Sequence, residues 1–295
     1  MIKRQAVLFL AMFITAGSST APAQEHIISV ASEEVRVDIL VTDKGKPIVD
    51  LRASDFEVID NGVLQEIQYA EPQQQTPISA ILVFDMSGSV SGVTLDRLKD
   101  AANGFLADLK GEDRVALITF NHAVVLGSSL TNDIARVKQA LEQTQSSGDS
   151  SLIDASYAGL LLAESRSELP LLIIFSDDLD TFSWLTEEAV LETAKRSDAV
   201  VYAVTTRRLP KQSFLSDLAK FTGGSLSEVG SVDSLPAMFL RILDEFRQRY
   251  LVTYIPKGVS EGGWHKLEVR VKDRKAKVRA RPGYIRNAPG SSADD

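Results

Sequence analysis

From Val35 to Asp43 the apolar residues Val35, Val37, Ile39 and Val41 alternate with Arg36, Asp38 and Thr42. A period of two predicts a strand with one buried face. Lys44-Gly45-Lys46-Pro47 then reads as a turn, Phe56-Glu57-Val58-Ile59 as a second strand, and Leu64 to Tyr69 as a third. Between the last two stands Asp60-Asn61-Gly62, where Asn-Gly supplies positive φ at little steric cost. The result is a small antiparallel β unit. It ends at Glu71-Pro72-Gln73-Gln74-Gln75-Thr76-Pro77, a polar, proline-bracketed stretch that predicts a linker.

The pattern changes after this stretch. Ile78 to Phe84, Val115 to Phe120, Leu171 to Phe175 and Ala199 to Val204 are short apolar runs of the kind that form strands covered on both faces. Leu95, Leu98, Ala102, Phe105, Leu106 and Leu109 recur at helical spacing, and further helices are predicted near 132–144, 152–165, 184–197, 212–221 and 233–248. Strands alternating with helices through right-handed crossovers give an α/β fold with a doubly wound, mainly parallel sheet. Its ligand site belongs at the carboxyl ends of the strands. Beyond Tyr250 the β pattern returns at Tyr250–Ile255, His265–Val271 and Lys277–Ala280. Short hairpins cannot bury a core alone. Residues 24–76 and 249–286 are therefore expected to pair into one small β-sandwich-like domain, with the α/β domain, 77–248, inserted between them and 287–295 left as a disordered tail.

Composition narrows the function. Residues 1–23 carry Lys3 and Arg4, an apolar run from Ala6 to Ala16, and Ala21-Pro22-Ala23 before Gln24, the form of a cleaved secretory signal peptide. The apolar run is too short to span a membrane. Export to the periplasm or beyond is expected, with no membrane span left after cleavage. The formal charge of the 295-residue chain is 32 − 40 = −8, and losing the two basic residues of the signal makes it −10. That balance argues against nucleic acid as a partner. With no cysteine, thiolate metal sites, disulfides and Cys nucleophiles are all excluded.

The chemistry concentrates at strand ends. Asp85-Met86-Ser87-Gly88-Ser89 follows the first α/β strand and places oxygen-bearing side chains at i, i+2 and i+4, with Gly88 allowing a sharp turn. One carboxylate and two hydroxyls aimed at one point suit a hard divalent cation, although serines before a helix also serve as caps. Ser150 lies in Gly148-Asp149-Ser150-Ser151-Leu152-Ile153-Asp154-Ala155, opening a helix, and Asp177 follows the strand 171–175. In a parallel sheet these loops converge.

With these residues the sequence resembles a von Willebrand factor type A (VWA) domain, whose metal-ion-dependent adhesion site uses DxSxS, a Thr before a helix and an Asp after a later strand. The resemblance implies Asp85, Ser87, Ser89, Ser150 and Asp177 as metal residues. Ser150 replaces the usual Thr, and Ser176-Asp177-Asp178 stands where many members have Thr-Asp-Gly. The flanks, including Tyr250-Leu-Val-Thr-Tyr254 and Arg281-Pro-Gly-Tyr284, resemble the exported VWA-related proteins of Acidobacteria. The implied function is metal-dependent protein binding. Mg²⁺ or Mn²⁺, with Ca²⁺ less suited, would accept an Asp or Glu from a protein partner, and Met86, Val90, His122, Asp178, Phe182 and Trp184 are candidates for the contact rim. A metal-free scaffold and a metal-dependent phosphoryl hydrolase are the alternatives. The hydrolase lacks a second carboxylate two residues after Asp85, a P-loop, a G-x-S-x-G elbow and an H-E-x-x-H motif, and His26, His122 and His265 are scattered. An enzyme is not expected.

Overall fold

The computed structural model describes residues 34–164, 169–177, 180–210 and 212–286. The expected signal peptide and tail, and Asp178, lie outside the described residues. In chain order come β1 (Val35–Asp43), β2 (Lys46–Pro47), β3 (Phe56–Asp60), β4 (Val63–Gln65) and β5 (Ile67–Pro72). The α/β layer follows with β6 (Ile78–Asp85), α1 (Val93–Ala107), β7 (Arg114–Phe120), β8 (Val124–Thr131), α2 (Ile134–Glu142), α3 (Leu152–Glu164), β9 (Leu169–Phe175), α4 (Glu187–Ala194), β10 (Val200–Thr205), α5 (Phe214–Phe221), β11 (Ser225–Glu228) and α6 (Leu235–Arg247). The chain closes with β12 (Tyr250–Tyr254), β13 (Gly263–Val271), β14 (Lys277–Arg279) and β15 (Gly283–Arg286).

The central sheet has the order β11-β10-β9-β6-β7-β8 and is parallel except for β8, which runs antiparallel to β7. Every residue of β6 is buried, because helices cover both faces. Ile78, Ala80, Leu82 and Phe84 pack with α1 and α6 through Leu98, Phe105, Phe239 and Leu243. Ile81 and Val83 face the other way, against Leu152, Leu160 and Leu218. After β6 the chain adds β7 on one side and later β9 on the other. The order of strands thus reverses at β6 and β9, which opens a crevice at their carboxyl ends.

The strands that flank this layer pair with one another. β1 and β5 both pair antiparallel with β12, and β3 pairs antiparallel with β13, setting Val37 opposite Val252 and Val58 opposite Val269. The resulting sheets, β14-β1-β12-β5 with β2 attached and β15-β13-β3-β4, share a core of Val37, Ile39, Phe56, Val58, Val252 and Leu267. The expected Asn-Gly turn joins β3 to β4, with Asn61 at φ 46° and Gly62 at φ 85°. No helix among the described residues is long and apolar enough to cross a membrane.

Three expectations need correction. The strand predicted at Leu64–Tyr69 is two, β4 and β5, parted at Glu66. The predicted linker is partly strand, since β5 runs through Glu71 and Pro72, and Gln73 is buried, its backbone N–H donating to the Arg249 carbonyl at 2.9 Å. The helix predicted from 184 starts at Glu187, because Thr186 accepts the Ala189 N–H and caps it.

Candidate metal centre

Asp85 ends β6 with no exposed surface. Its Oδ1 accepts the Ser87 N–H at 2.8 Å, which turns the chain sharply after the strand. Its Oδ2 accepts the hydroxyl of Ser176 at 2.7 Å and that of Ser150 at 3.4 Å. Ser87 and Ser89 bring their hydroxyl oxygens within 3.0 Å of each other. One carboxylate is thus ringed by the hydroxyls of two other loops.

Backbone bonds fix those loops. Gly88 N–H donates to the Gly148 carbonyl at 3.0 Å, and Ser147 N–H to the Met86 carbonyl at 2.8 Å. Gly148 holds φ at +73°, and a Cβ there would come within 3.2 Å of His122 Nδ1. The Ser150 carbonyl accepts the N–H groups of Thr181 and Phe182 at 2.9 and 3.0 Å, while Ser150 N–H donates to the Thr181 hydroxyl at 3.0 Å. The segments around 87, 150 and 181 are laced into one platform above the crevice.

Asp177 completes the set just after β9. Only 8% of it is exposed. Its Oδ2 lies 3.6 Å from Arg207 Nη1, and its Oδ1 is buried with no hydrogen-bond partner. Burial pushes the Asp85 carboxyl above its ordinary pKa, the bonds from Ser87 and Ser176 oppose this, and the charge of Asp177 adds to it. Two neighbouring buried carboxylates, one with an orphaned oxygen, fit a divalent cation, and the all-oxygen donor set suits a hard one. Among the described residues no group of three or more His, Asp or Glu could hold a metal, so this set depends on its hydroxyls.

The rim divides. Met86 and Val90 are 3% and 2% exposed and belong to the core beneath α1, so they cannot touch a partner. The apolar character that suggested contact serves instead to bury the loop's inner side. His122 is exposed and meets Phe182 edge to face, with ring centroids 6.4 Å apart. Trp184 is 90% exposed. A groove of about 430 Å³ runs between His122, Val124, Tyr157, Trp184 and Leu185. The Asp180 carboxylate accepts the Ile153 N–H at the start of α3 and the Ser183 hydroxyl from its own loop. Ser176 and Arg207 were not singled out from the sequence. Ser176 was detectable as a hydroxyl beside Asp177 at a strand end, whereas nothing local marked Arg207, which arrives from the end of β10.

The profile of the von Willebrand factor type A domain matches residues 80–179, which span β6 to the loop after β9. The chain carries a VWA domain. Inter-alpha-trypsin inhibitor heavy chain H2 of Mus musculus is 26% identical over 159 residues, covering 50% of this chain and 17% of that protein. The chain therefore spans about a sixth of the length of this relative. Among solved structures, a von Willebrand factor type A protein from Catenulispora acidiphila superposes with a TM-score of 0.54 at 11% identity, covering 84% of this chain and 76% of the other. Proximal thread matrix protein 1 from the mussel byssus gives 0.53 at 14% identity, covering 63% and 49%. These likenesses establish the fold, with the VWA domain placed on the doubly wound sheet and the candidate centre at its switch point.

Proposed function

We propose that this chain is an exported VWA-domain protein that binds a protein partner through a divalent cation held by Asp85, Ser87, Ser89, Ser150 and Asp177. The observation that carries the reading is the buried, unpartnered Oδ1 of Asp177 beside a second buried carboxylate. Asp85 and Asp177 supply charge and the serines supply neutral oxygens, so a bound Mg²⁺ or Mn²⁺ keeps Lewis acidity for an Asp or Glu of the partner. His122, Phe182 and Trp184 offer exposed aromatic surface beside the centre, where exclusion of water strengthens such a bond. The VWA site binds and performs no reaction. The signal-like residues 1–23 support export.

Titration calorimetry of the metal-stripped chain with Mg²⁺ and Mn²⁺ tests this. Saturable binding is expected for the wild type and is expected to vanish in Asp177→Ala with its circular dichroism unchanged. Arg207 competes for Asp177 from the surface, and exposed ion pairs are worth about 0.2–1 kcal/mol. Arg207→Ala is therefore expected to tighten the metal by up to about fivefold. The same Arg207–Asp177 pair favours a second reading, a scaffold in which the guanidinium replaces the cation. A folded wild type that binds neither ion would select that reading.

A further inference from the structure

We propose that Ser260, His265 and Asp60 form an acyl-transfer centre on the β-sandwich that hydrolyses small carboxylic esters, a function separate from the VWA site. His265, on β13, and Asp60, at the end of β3, have no exposed surface. His265 Nδ1 lies 2.8 Å from Asp60 Oδ1, and His265 Nε2 lies 3.3 Å from the hydroxyl of Ser260. Ser260 itself is exposed, in the loop between β12 and β13. Base, orienting carboxylate and accessible hydroxyl are thus joined in series.

Two tyrosines complete the shell of Asp60. Asp60 Oδ2 accepts the hydroxyls of Tyr254 and Tyr284 at 2.8 and 2.9 Å. Burial first, then neighbouring negative charge, holds Tyr254 well above the usual phenol range, and burial does the same for Tyr284, so both stay protonated donors. In the proposed centre the Asp60 carboxylate accepts at Oδ1 as well, with Nδ1–H of His265 as its donor. In a neutral imidazole that leaves the Nε2 lone pair directed at Ser260. This is the arrangement in which a histidine removes a serine proton while a buried aspartate holds the ring.

The nucleophile is also held in place. Gln65, buried on β4, grips the same loop from both sides: its Nε2 donates to the Lys257 carbonyl at 3.1 Å and its Oε1 accepts the Lys257 N–H at 2.8 Å. Arg286 Nη1 donates to the Ser260 carbonyl at 3.3 Å, which ties the same loop to β15. Gly258-Val259-Ser260-Glu261-Gly262 has G-x-S-x-G spacing, but it joins two strands and is no strand-to-helix elbow. The geometry carries the inference, and the spacing adds nothing to it.

In the reaction Ser260 Oγ bonds to the ester carbonyl carbon as its proton passes to His265 Nε2. The bond from that carbon to the alkoxy oxygen breaks, and the alcohol departs with the proton from Nε2. Water then bonds to the acyl carbon and gives a proton to Nε2. The carbon–Oγ bond breaks, the acid leaves, and Ser260 recovers its proton.

The test uses the whole chain with p-nitrophenyl acetate and, separately, a fluorophosphonate probe followed by peptide mapping. An adduct on Ser260 and acetate hydrolysis are expected, both absent in Ser260→Ala, whose exposed side chain can be truncated without opening the core. His265→Gln should slow labelling by about 10²–10⁴-fold. If that variant does not fold, mapping on the wild type decides. A folded wild type with no adduct on Ser260, or hydrolysis undiminished in Ser260→Ala, overturns the proposal. Neither outcome bears on metal binding.

Discussion

Replacing Arg249 with Ala is expected to lower the free energy of unfolding by about 3–5 kcal/mol, the cost of leaving a buried charge network without one partner. Arg249 lies between α6 and β12, at the point where the chain leaves the α/β layer for the sandwich, and it is completely buried. Its Nη2 donates to the carbonyls of Asp38 on β1 at 2.9 Å and of Gly223 after α5 at 3.0 Å, and its Nη1 to the Tyr202 hydroxyl on β10 at 3.3 Å. One guanidinium therefore bonds to both layers. Burial raises the pKa of the Asp38 carboxyl, while the Arg249 charge and a hydrogen bond from Gln73 pull it down. Removing the arginine takes away the larger of the two cationic charges that favour the Asp38 carboxylate, Arg281 supplying the other, and leaves two carbonyls without this donor. Urea denaturation with the slope of the transition held common to both proteins reads the difference. A loss under about 1 kcal/mol would mean that water replaces the guanidinium and that the two layers are not tied through it.

Much of this architecture was legible because burial writes itself into sequence. β6 and β9 read as continuous apolar runs since helices cover both of their faces, and β1 alternates since only one of its faces meets the sandwich core. β8 and β11 were not foreseen. β8 is an edge strand whose first four residues are exposed, and β11 is four residues of Ser, Leu, Ser and Glu, so neither carries a burial pattern to read. The same logic explains the site. Asp85, Ser150 and Asp177 stood out in the sequence because strand ends and helix starts are marked locally. Met86 and Val90 were misplaced on the rim because an apolar residue beside a polar motif looks the same whether it faces solvent or core. The Asp60, Tyr254, His265 and Tyr284 network joins residues up to 224 positions apart, and no local spacing announces it.

Asp85→Asn is expected to abolish Mg²⁺ and Mn²⁺ binding while making the metal-free chain more stable. The carboxylate is fully buried, and burial raises its pKa against the pull of the bonds from Ser87 and Ser176. The folded chain therefore holds this proton more tightly than the unfolded chain does. Below the ordinary carboxylate pKa of about 3.9 both states are protonated, and the residue contributes no penalty. As pH rises from there through the raised folded value, the unfolded state ionises first and stability falls, with the full penalty present above that window. An amide removes the charge and retains the fit. Its oxygen can accept the Ser87 N–H, and its NH₂ can donate to Ser150 and Ser176, whose hydroxyls rotate from donor to acceptor. Thermal unfolding in chelator from pH 4 to pH 8 should thus show the wild type losing stability toward neutral pH relative to Asp85→Asn, which melts higher at pH 8. Saturating Mg²⁺ should raise the wild type alone, because an ion that binds only the folded state stabilises it by mass action. A variant that melts lower than the wild type in chelator at pH 8 would mean that the Asp85 charge is already compensated within the protein without any cation.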